Sequence, residues 1–244
     1  MRLAVISDIH GNWDALTAVL ADIDVNRPDA VFCLGDCIGY GAEPERVIRT
    51  LRQRGISSTR GNHEQAVLEP DRLEWFNLLA RKSLVKTTDM LSDEALQMIA
   101  EFPDVLTSHG CRFVHGFPPD SVTTYHFEVP SGERRRIIKA MAEKICFIGH
   151  THDLTLITYD GRILTNSHLG PGRVDLLPNQ QAVVCVGSVG QPRDGDKNAK
   201  YIIWDADAAN LEVRYIGYDI GAAAEKIIAA GLPRVHADRL WCRQ

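Results

Sequence analysis

The chain has no Cys-x-x-Cys pair, no apolar run near the roughly 20 residues of a membrane span, no basic excess, no internal repeat and no low-complexity linker. Each absence excludes something. The six cysteines (33, 37, 111, 146, 185 and 242) are scattered, and four stand inside apolar runs, where a reduced thiol behaves as a small hydrophobe. That arrangement disfavours a thiolate metal site. A formal charge of −5 and a pI near 6.0 leave no electrostatic footprint for nucleic acid. Without a long apolar run, no membrane association is expected. Asp8 interrupts the opening residues before they can form a signal-peptide core, so the expected setting is cytoplasmic. What remains is 244 residues, 45% of them hydrophobic, enough to bury a full core as one domain over 1–244.

What the sequence does have is a repeated event. Leu3-Ala4-Val5-Ile6 is a short apolar run of buried-strand type, and it stops at Asp8 and His10. Ala30 to Leu34 runs into Gly35-Asp36, and Ile56 to Thr59 into Gly61-Asn62-His63-Glu64. Arg112-Phe113-Val114 ends on His115-Gly116, and Ile145 to Ile148 on Gly149-His150-Thr151-His152. In an open α/β sheet, ligand sites form outside the carboxyl ends of the strands. Five strands tipped with Asp, Asn or His would therefore gather oxygen and imidazole donors in one crevice, with flanking glycines allowing tight turns beside them.

Between these runs the pattern alternates. Trp13, Leu16, Val19, Leu20 and Ile23 recur at helical spacing, and Pro44 opens a second helix with Val47, Ile48 and Leu51 inside and Gly55 as terminator. Strand, helix, strand, helix, strand predicts a doubly wound sheet. Residues 64–108 break the rhythm and read as a helical, cap-like insertion. One helical segment there carries Leu73, Trp75, Phe76, Leu78 and Leu79, and a second is capped by Ser92 and stopped by Pro103. The segment 116–130 is a loop rich in Pro and Thr, and Ser131 is expected to cap a helix containing Ile137, Ile138 and Met141. Beyond His152 the chain turns to β. A hairpin turns at Asp160-Gly161, strands follow at 182–186, 200–204 and 211–215, and an Ala-rich helix runs from Asp219 to Gly231 and Pro233. The expected fold is α/β, with two β-layers packed together and helices outside them.

The donors Asp8, His10, Asp36, Asn62, His115, His150 and His152 are too many for one tetrahedral ion and suit two ions sharing a bridge, for which one carboxylate, Asp36, is the natural choice. Two divalent ions about 3.5–4 Å apart clamp the attacking and leaving oxygens of a phosphoryl displacement. Their combined charge exceeds that of Asp8 and Asp36, so phosphate would be attracted into an acidic protein. His63 adjoins Asn62 and is unsuited to share its ion. It serves either as the proton donor to the leaving group or as a histidine that orients a ligand, and we take the first.

These blocks also carry a resemblance. Asp8-x-His10, Gly35-Asp36, Gly61-Asn62-His63-Glu64, the stretch around His115, and Gly149-His150-x-His152 resemble, in order, the five motifs of the calcineurin-like metallophosphoesterases. The resemblance implies a four-layer α/β/β/α sandwich and a binuclear centre of Mn, Fe, Zn or Ni. It implies Asp8, His10, Asp36 and His152 on one ion, Asp36, Asn62, His115 and His150 on the other, and His63 beside the substrate. The stretch Gly187 to Asp196 is similar to a loop of the bacterial and archaeal phosphodiesterase-like branch. One departure stands out. The protein phosphatases and diadenosine tetraphosphate hydrolases carry Gly-Asp-x-x-Asp-Arg-Gly, whereas this chain reads Gly35-Asp36-Cys37-Ile38-Gly39-Tyr40-Gly41 and lacks the arginine that grips phosphate. The expected activity is hydrolysis of a small phosphodiester or nucleotide-like phosphate, with Asn12, Arg60 and Arg193 as substrate contacts and Trp75, Tyr125 and Phe127 available to stack on a base. The alternatives are a protein phosphatase, a dinucleoside polyphosphate hydrolase and a non-catalytic interaction scaffold of the same fold. A homo-oligomer is compatible with the sequence.

Overall fold

Period-2 burial defines the first strand. In β1 (Arg2–Ile6) Leu3 and Val5 face one way and Ala4 and Ile6 the other, and all four are buried, as a strand covered on both faces requires. The computed structural model describes residues 1–242. After β1 come α1 (Trp13–Asn26), β2 (Ala30–Cys33), α2 (Pro44–Gln53), β3 (Ser57–Ser58) and α3 (Asn62–Leu68), then a 3₁₀ turn over Pro70–Trp75, α4 (Leu78–Asp89) and α5 (Asp93–Ala100). The chain continues through β4 (Val105–Ser108), β5 (Cys111–Val114), α6 (Ser131–Ala140), β6 (Ile145–Ile148), β7 (Leu154–Tyr159) and β8 (Leu164–His168). It closes with β9 (Gly172–Asp175), β10 (Gln181–Val186), β11 (Ala199–Asp205), β12 (Asn210–Ile216), α7 (Ile220–Ala229) and α8 (Arg234–Leu240).

Two six-stranded sheets result, ordered β3-β2-β1-β11-β12-β9 and β4-β5-β6-β10-β7-β8. Leu3, Val5, Phe32 and Ile202 of the first pack directly on Phe113, Phe147, Val184 and Val186 of the second. On the outer face of the first sheet, Ala4, Ile6 and Tyr201 meet Leu16 and Val19 of α1 and Val47 and Ile48 of α2. On the outer face of the second, Val114, Ile148 and Val183 meet Ile138 of α6. The order is therefore helix, sheet, sheet, helix, as expected. In each sheet the strands that lead to the site run parallel: β1 with β2, pairing Val5 with Phe32, and β5 with β6, pairing Phe113 with Phe147. Their carboxyl ends open on one edge of the sandwich.

Several expectations need correction. Residues 64–108 are not wholly helical, because Val105–Ser108 forms β4, paired antiparallel with β5. His109 (φ 53°) and Gly110 (φ 72°) make the tight two-residue turn between them, the geometry that suits a hairpin's twist. The segment 73–79 is not one helix either. Asn77 interrupts it, and its side chain accepts from the N–H groups of Leu79 (3.1 Å) and Ala80 (3.0 Å) to start α4. Pro130, not Ser131, stands at the N-cap of α6, with no side-chain cap bond. Finally, the Ala-rich helix does end ahead of Gly231 and Pro233, but it is not the last one: α8 follows and packs Ala237 and Leu240 against Ile220 and Ala224 of α7.

Candidate metal centre

The two carboxylates are built alike. Asp8 follows β1, and its Oδ2 accepts from Ser7 Oγ (2.6 Å) and the His150 N–H (3.1 Å), leaving Oδ1 buried with no hydrogen-bond partner. Asp36 follows β2, and its Oδ1 accepts from the His63 N–H (2.9 Å). Its Oδ2 lies 3.4 Å from His115 Nε2 and 3.8 Å from the Nε2 atoms of both His10 and His63. One oxygen of each acid is thus tied to the scaffold, and the other faces imidazole.

The imidazoles are fixed from behind. His10 Nδ1 lies 3.1 Å from the Ile38 carbonyl, His115 Nδ1 2.8 Å from that of Leu34, His152 Nδ1 2.5 Å from that of Gln191, and His150 Nε2 2.9 Å from that of Thr123. A carbonyl only accepts, so each of these four rings donates its outer N–H and, in its neutral form, turns an unprotonated nitrogen inward, the tautomer a metal ligand needs. The inward nitrogens then crowd one another. His10 Nε2 is 3.0 Å from His152 Nε2, and His115 Nε2 is 3.2 Å from His150 Nδ1 and 3.1 Å from Asn62 Oδ1. Lone pair facing lone pair at such distances is repulsive unless a cation sits among them. With the partnerless Asp8 Oδ1 beside them, the donors fit two divalent ions. Asp8, His10 and His152 lie on one side, Asp36, His115 and His150 on the other, and Asp36 is near enough to serve both.

His63 differs from the four. It groups by distance with His10 and Asp36, so proximity alone would admit it as a ligand. Its Nδ1 has no partner, however, and no carbonyl holds the ring. It is instead wedged by rings, with His10 and Tyr40 each 4.6 Å away and Phe76 edge-on at 5.1 Å.

The electrostatics follow from burial and these neighbours. Burial opposes ionisation of Asp8 and Asp36, but His152 beside Asp8 and His115 beside Asp36 hold both carboxyls below their ordinary range. Burial pushes His63 down to about 4 and His150 to about 3. It opposes protonation of His115 too, but there Asp36 and Asp8 prevail and lift the ring to about 10. Two acids that draw a proton onto a buried ring would equally draw a cation.

Local backbone geometry is costly here. Asp8, His10, Asp36, His150 and His152 all have positive φ, between 48° and 68°, a region that L-residues other than Asn, Asp and His seldom enter. Glu64, on the first turn of α3, organises the Asp36 loop. It accepts from the N–H groups of Asp36 (2.8 Å), Cys37 (2.7 Å), Ile38 (3.2 Å) and Gly61 (2.8 Å), and burial followed by repulsion from Asp36 raises it to about 7.

Four of the donors, Asp36, Asn62, His150 and His152, together with His63, floor a cavity of about 850 Å³. Trp75 and Phe76 wall one side, from the insertion, and Tyr125 another, stacked on His150 at 4.0 Å. Phe127 stacks behind Tyr125 and is not among the lining residues. Of the three expected substrate contacts, Arg193 alone lies on the wall. Asn12 caps α1, accepting from the Ala15 N–H (3.1 Å) and donating to the Gly190 carbonyl (2.9 Å). Arg60 donates to the Phe102 carbonyl (2.9 Å) and lies 3.6 Å from Asp104. Both side chains are committed to these scaffold partners, and neither lines the cavity. Sequence reasoning missed Tyr40, Phe76 and Arg239 as lining residues. Only Tyr40 carried a signal, since it stands where the phosphatases have their arginine.

Comparison with known proteins agrees with this geometry. A profile of the family described as calcineurin-like phosphoesterase matches residues 1–154, which hold all seven donors and His63. An uncharacterized protein of Methanocaldococcus jannaschii is 32% identical over 244 residues, covering 98% of this chain and 97% of the relative. The crystal structure of a metallophosphoesterase from Sphaerobacter thermophilus is 32% identical and superposes with a TM-score of 0.85 over 99% of each chain. A hypothetical protein from Pyrococcus horikoshii, 19% identical, has the same fold, with a TM-score of 0.78 over 98% of this chain and 97% of that one.

Proposed function

The chain belongs to the calcineurin-like phosphoesterases, and on that premise we propose that it hydrolyses a small phosphodiester or nucleotide-like phosphate at a two-cation centre. Asp8, His10, Asp36 and His152 would hold one divalent ion, and Asp36, Asn62, His115 and His150 the other. Bound there, the ions supply Lewis-acid polarisation of the phosphoryl group and bring the ionisation of water toward neutral pH. The observation that carries this reading is the set of four carbonyl-anchored imidazoles whose free nitrogens converge with Asp8 Oδ1 and Asp36 Oδ2.

The protein's own groups have distinct parts. Asp36 positions both halves of the centre through one oxygen, while Glu64 keeps its loop from relaxing. His63, with no carbonyl anchor, is the group free to hand a proton to the leaving oxygen. Burial disfavours the charged form of its ring, and an anionic ester beside it offsets that penalty, so the proton is gained together with the substrate. Trp75, Phe76 and Tyr125 offer flat apolar walls to a planar ring. Tyr40, in place of an arginine, supports a choice of small esters over phosphoproteins, and a cavity walled by Trp75, Phe76 and Tyr125 suits a compact ligand. The complete donor set argues against a scaffold.

The test is direct. Protein stripped by a chelator should lose hydrolysis of bis(p-nitrophenyl) phosphate and recover it on adding manganese, with two ions bound per chain by elemental analysis. Undiminished activity in the stripped protein would sink the proposal. A screen by kcat/KM across diesters, nucleotides, dinucleoside polyphosphates and phosphopeptides then tests the substrate class, and a clear preference for phosphopeptides overturns that part.

A further inference from the structure

Part of the cavity wall is made by stretches of the chain beyond the family-matched residues 1–154. Arg193 comes from the loop between β10 and β11, and Arg239 from the last turn of α8. Neither guanidinium makes an ion pair or a hydrogen bond among the described residues, although most other arginines do. Among the lining residues the only carboxylate is Asp36, which is already committed to the imidazoles. Two unpaired cations therefore share one cavity with the metal-ligand cluster in a chain whose net charge is −5.

Both arginines are held in place. Lys200, buried, donates to Asp194 Oδ1 (2.8 Å) and to the carbonyls of Asp196 (2.7 Å) and Asn198 (3.1 Å), clamping the loop that carries Arg193. On α8, His236 bonds Ser83 Oγ of α4 (2.7 Å) and packs on the Tyr40 ring (4.6 Å between centroids), three residues before Arg239. Arg193 and Arg239 line the same cavity as Tyr40, whose ring lies 4.5 Å, centroid to centroid, from that of His10.

We propose that Arg193 and Arg239 form an anion subsite beside the metal centre, so that the preferred substrate carries a second phosphate in addition to the phosphoryl group that is cleaved. A guanidinium fork matches phosphate oxygens in bidentate fashion, and among the described residues these two forks have no anionic partner in the cavity. The substrate class deepens from a nucleotide-like phosphate to a nucleoside bisphosphate or its ester. This rests on the phosphoesterase reading only for the word "cleaved"; the subsite itself is a binding property.

The test separates the two. On the manganese-loaded protein, calorimetry compares thymidine 3′,5′-bisphosphate with thymidine 5′-monophosphate, and phosphate release is assayed alongside. The bisphosphate should bind at least about 10-fold more tightly, the range of one charge-assisted pair. Arg193→Gln and Arg239→Gln should each collapse that ratio toward one, Arg239→Lys should keep part of it, and melting temperatures should stay near that of the parent. Equal binding of the two nucleotides by the parent protein, no binding of either, or a ratio that survives both glutamine variants overturns the subsite. The p-nitrophenyl 5′-esters of the same pair are then compared for turnover. Preferential binding without turnover of either ester would refute the phosphoesterase reading and leave the subsite standing.

Discussion

At Gly39 the backbone runs at φ 89°, and a Cβ added there would stand 2.1 Å from His63 Nδ1. The glycine is thus required twice, by its conformation and by the ring it seats. Gly39→Ala should displace His63 without touching a metal ligand. We expect a rate loss of about 100-fold, the lower end of what losing a proton donor costs, with two ions still bound. His63→Asn sharpens the point. A poor alkoxide leaving group should lose on the order of 10²–10⁴ in kcat and a nitrophenolate far less, because the latter scarcely needs protonation. Equal losses on both substrates would make His63 a positioning residue, and loss of an ion from the variant would make it a ligand.

At the scale of elements, two charge clusters, one buried and one half-buried, hold strands to the segments beside them. Lys200 on β11 is fully buried against Asp194, itself buried, and the loop they clamp provides the Gln191 carbonyl that anchors His152. Removing one partner leaves the other charge uncompensated, so Lys200→Met should cost about 3–5 kcal/mol by urea unfolding. The paired change Lys200→Met with Asp194→Leu should cost less than the single one. Asp22 on α1 accepts from Tyr201 (2.5 Å) and Arg214 (2.7 and 3.1 Å), linking the helix to β11 and β12. Burial opposes its ionisation, but Arg214 and Tyr201 prevail and depress it. A depressed carboxyl contributes stability that is present above the ordinary carboxyl pKa of about 3.9 and is lost as pH falls through the lower folded value. Asp22→Asn should therefore lower the melting temperature at pH 7 and flatten its decline below pH 4. A parallel acid limb in parent and variant would remove Asp22 from that account.

For the molecule as a whole, folding and cation binding are linked. Five donor residues hold positive φ and Asp8 buries an oxygen without a hydrogen-bond partner, so the centre is a local cost that bound cations would offset. At 100 times the dissociation constant, one ion that binds only the folded state adds about 2.7 kcal/mol. For a chain of this size that raises the melting temperature by roughly 5–10 °C. We expect chelation to lower it by that order, and Asp36→Asn, which impairs both halves, to abolish most of the difference. His152→Ala should abolish only part. A melting curve unmoved by chelator would contradict the linkage.

Much of this was legible before any coordinates. The strand ends that carry Asp8, Asp36, His115 and His150 are apolar runs stopped by a polar group, and the donor type follows from the residues themselves, so the sandwich and the seven donors could be read in one dimension. Short runs such as Val105–Ser108, or a stretch broken by one capping asparagine like 73–79, carry too few residues for periodicity to decide them. The sequence alone determined which residues have metal-binding chemistry and in what order they arrive. Tertiary structure decided which nitrogen of each histidine turns inward, since that depends on a carbonyl up to 81 positions away. It also decided that Asn12 and Arg60 point elsewhere while Arg239 reaches the cavity. Direction and long-range partnership are properties of the packed backbone, and no local pattern of side chains encodes them.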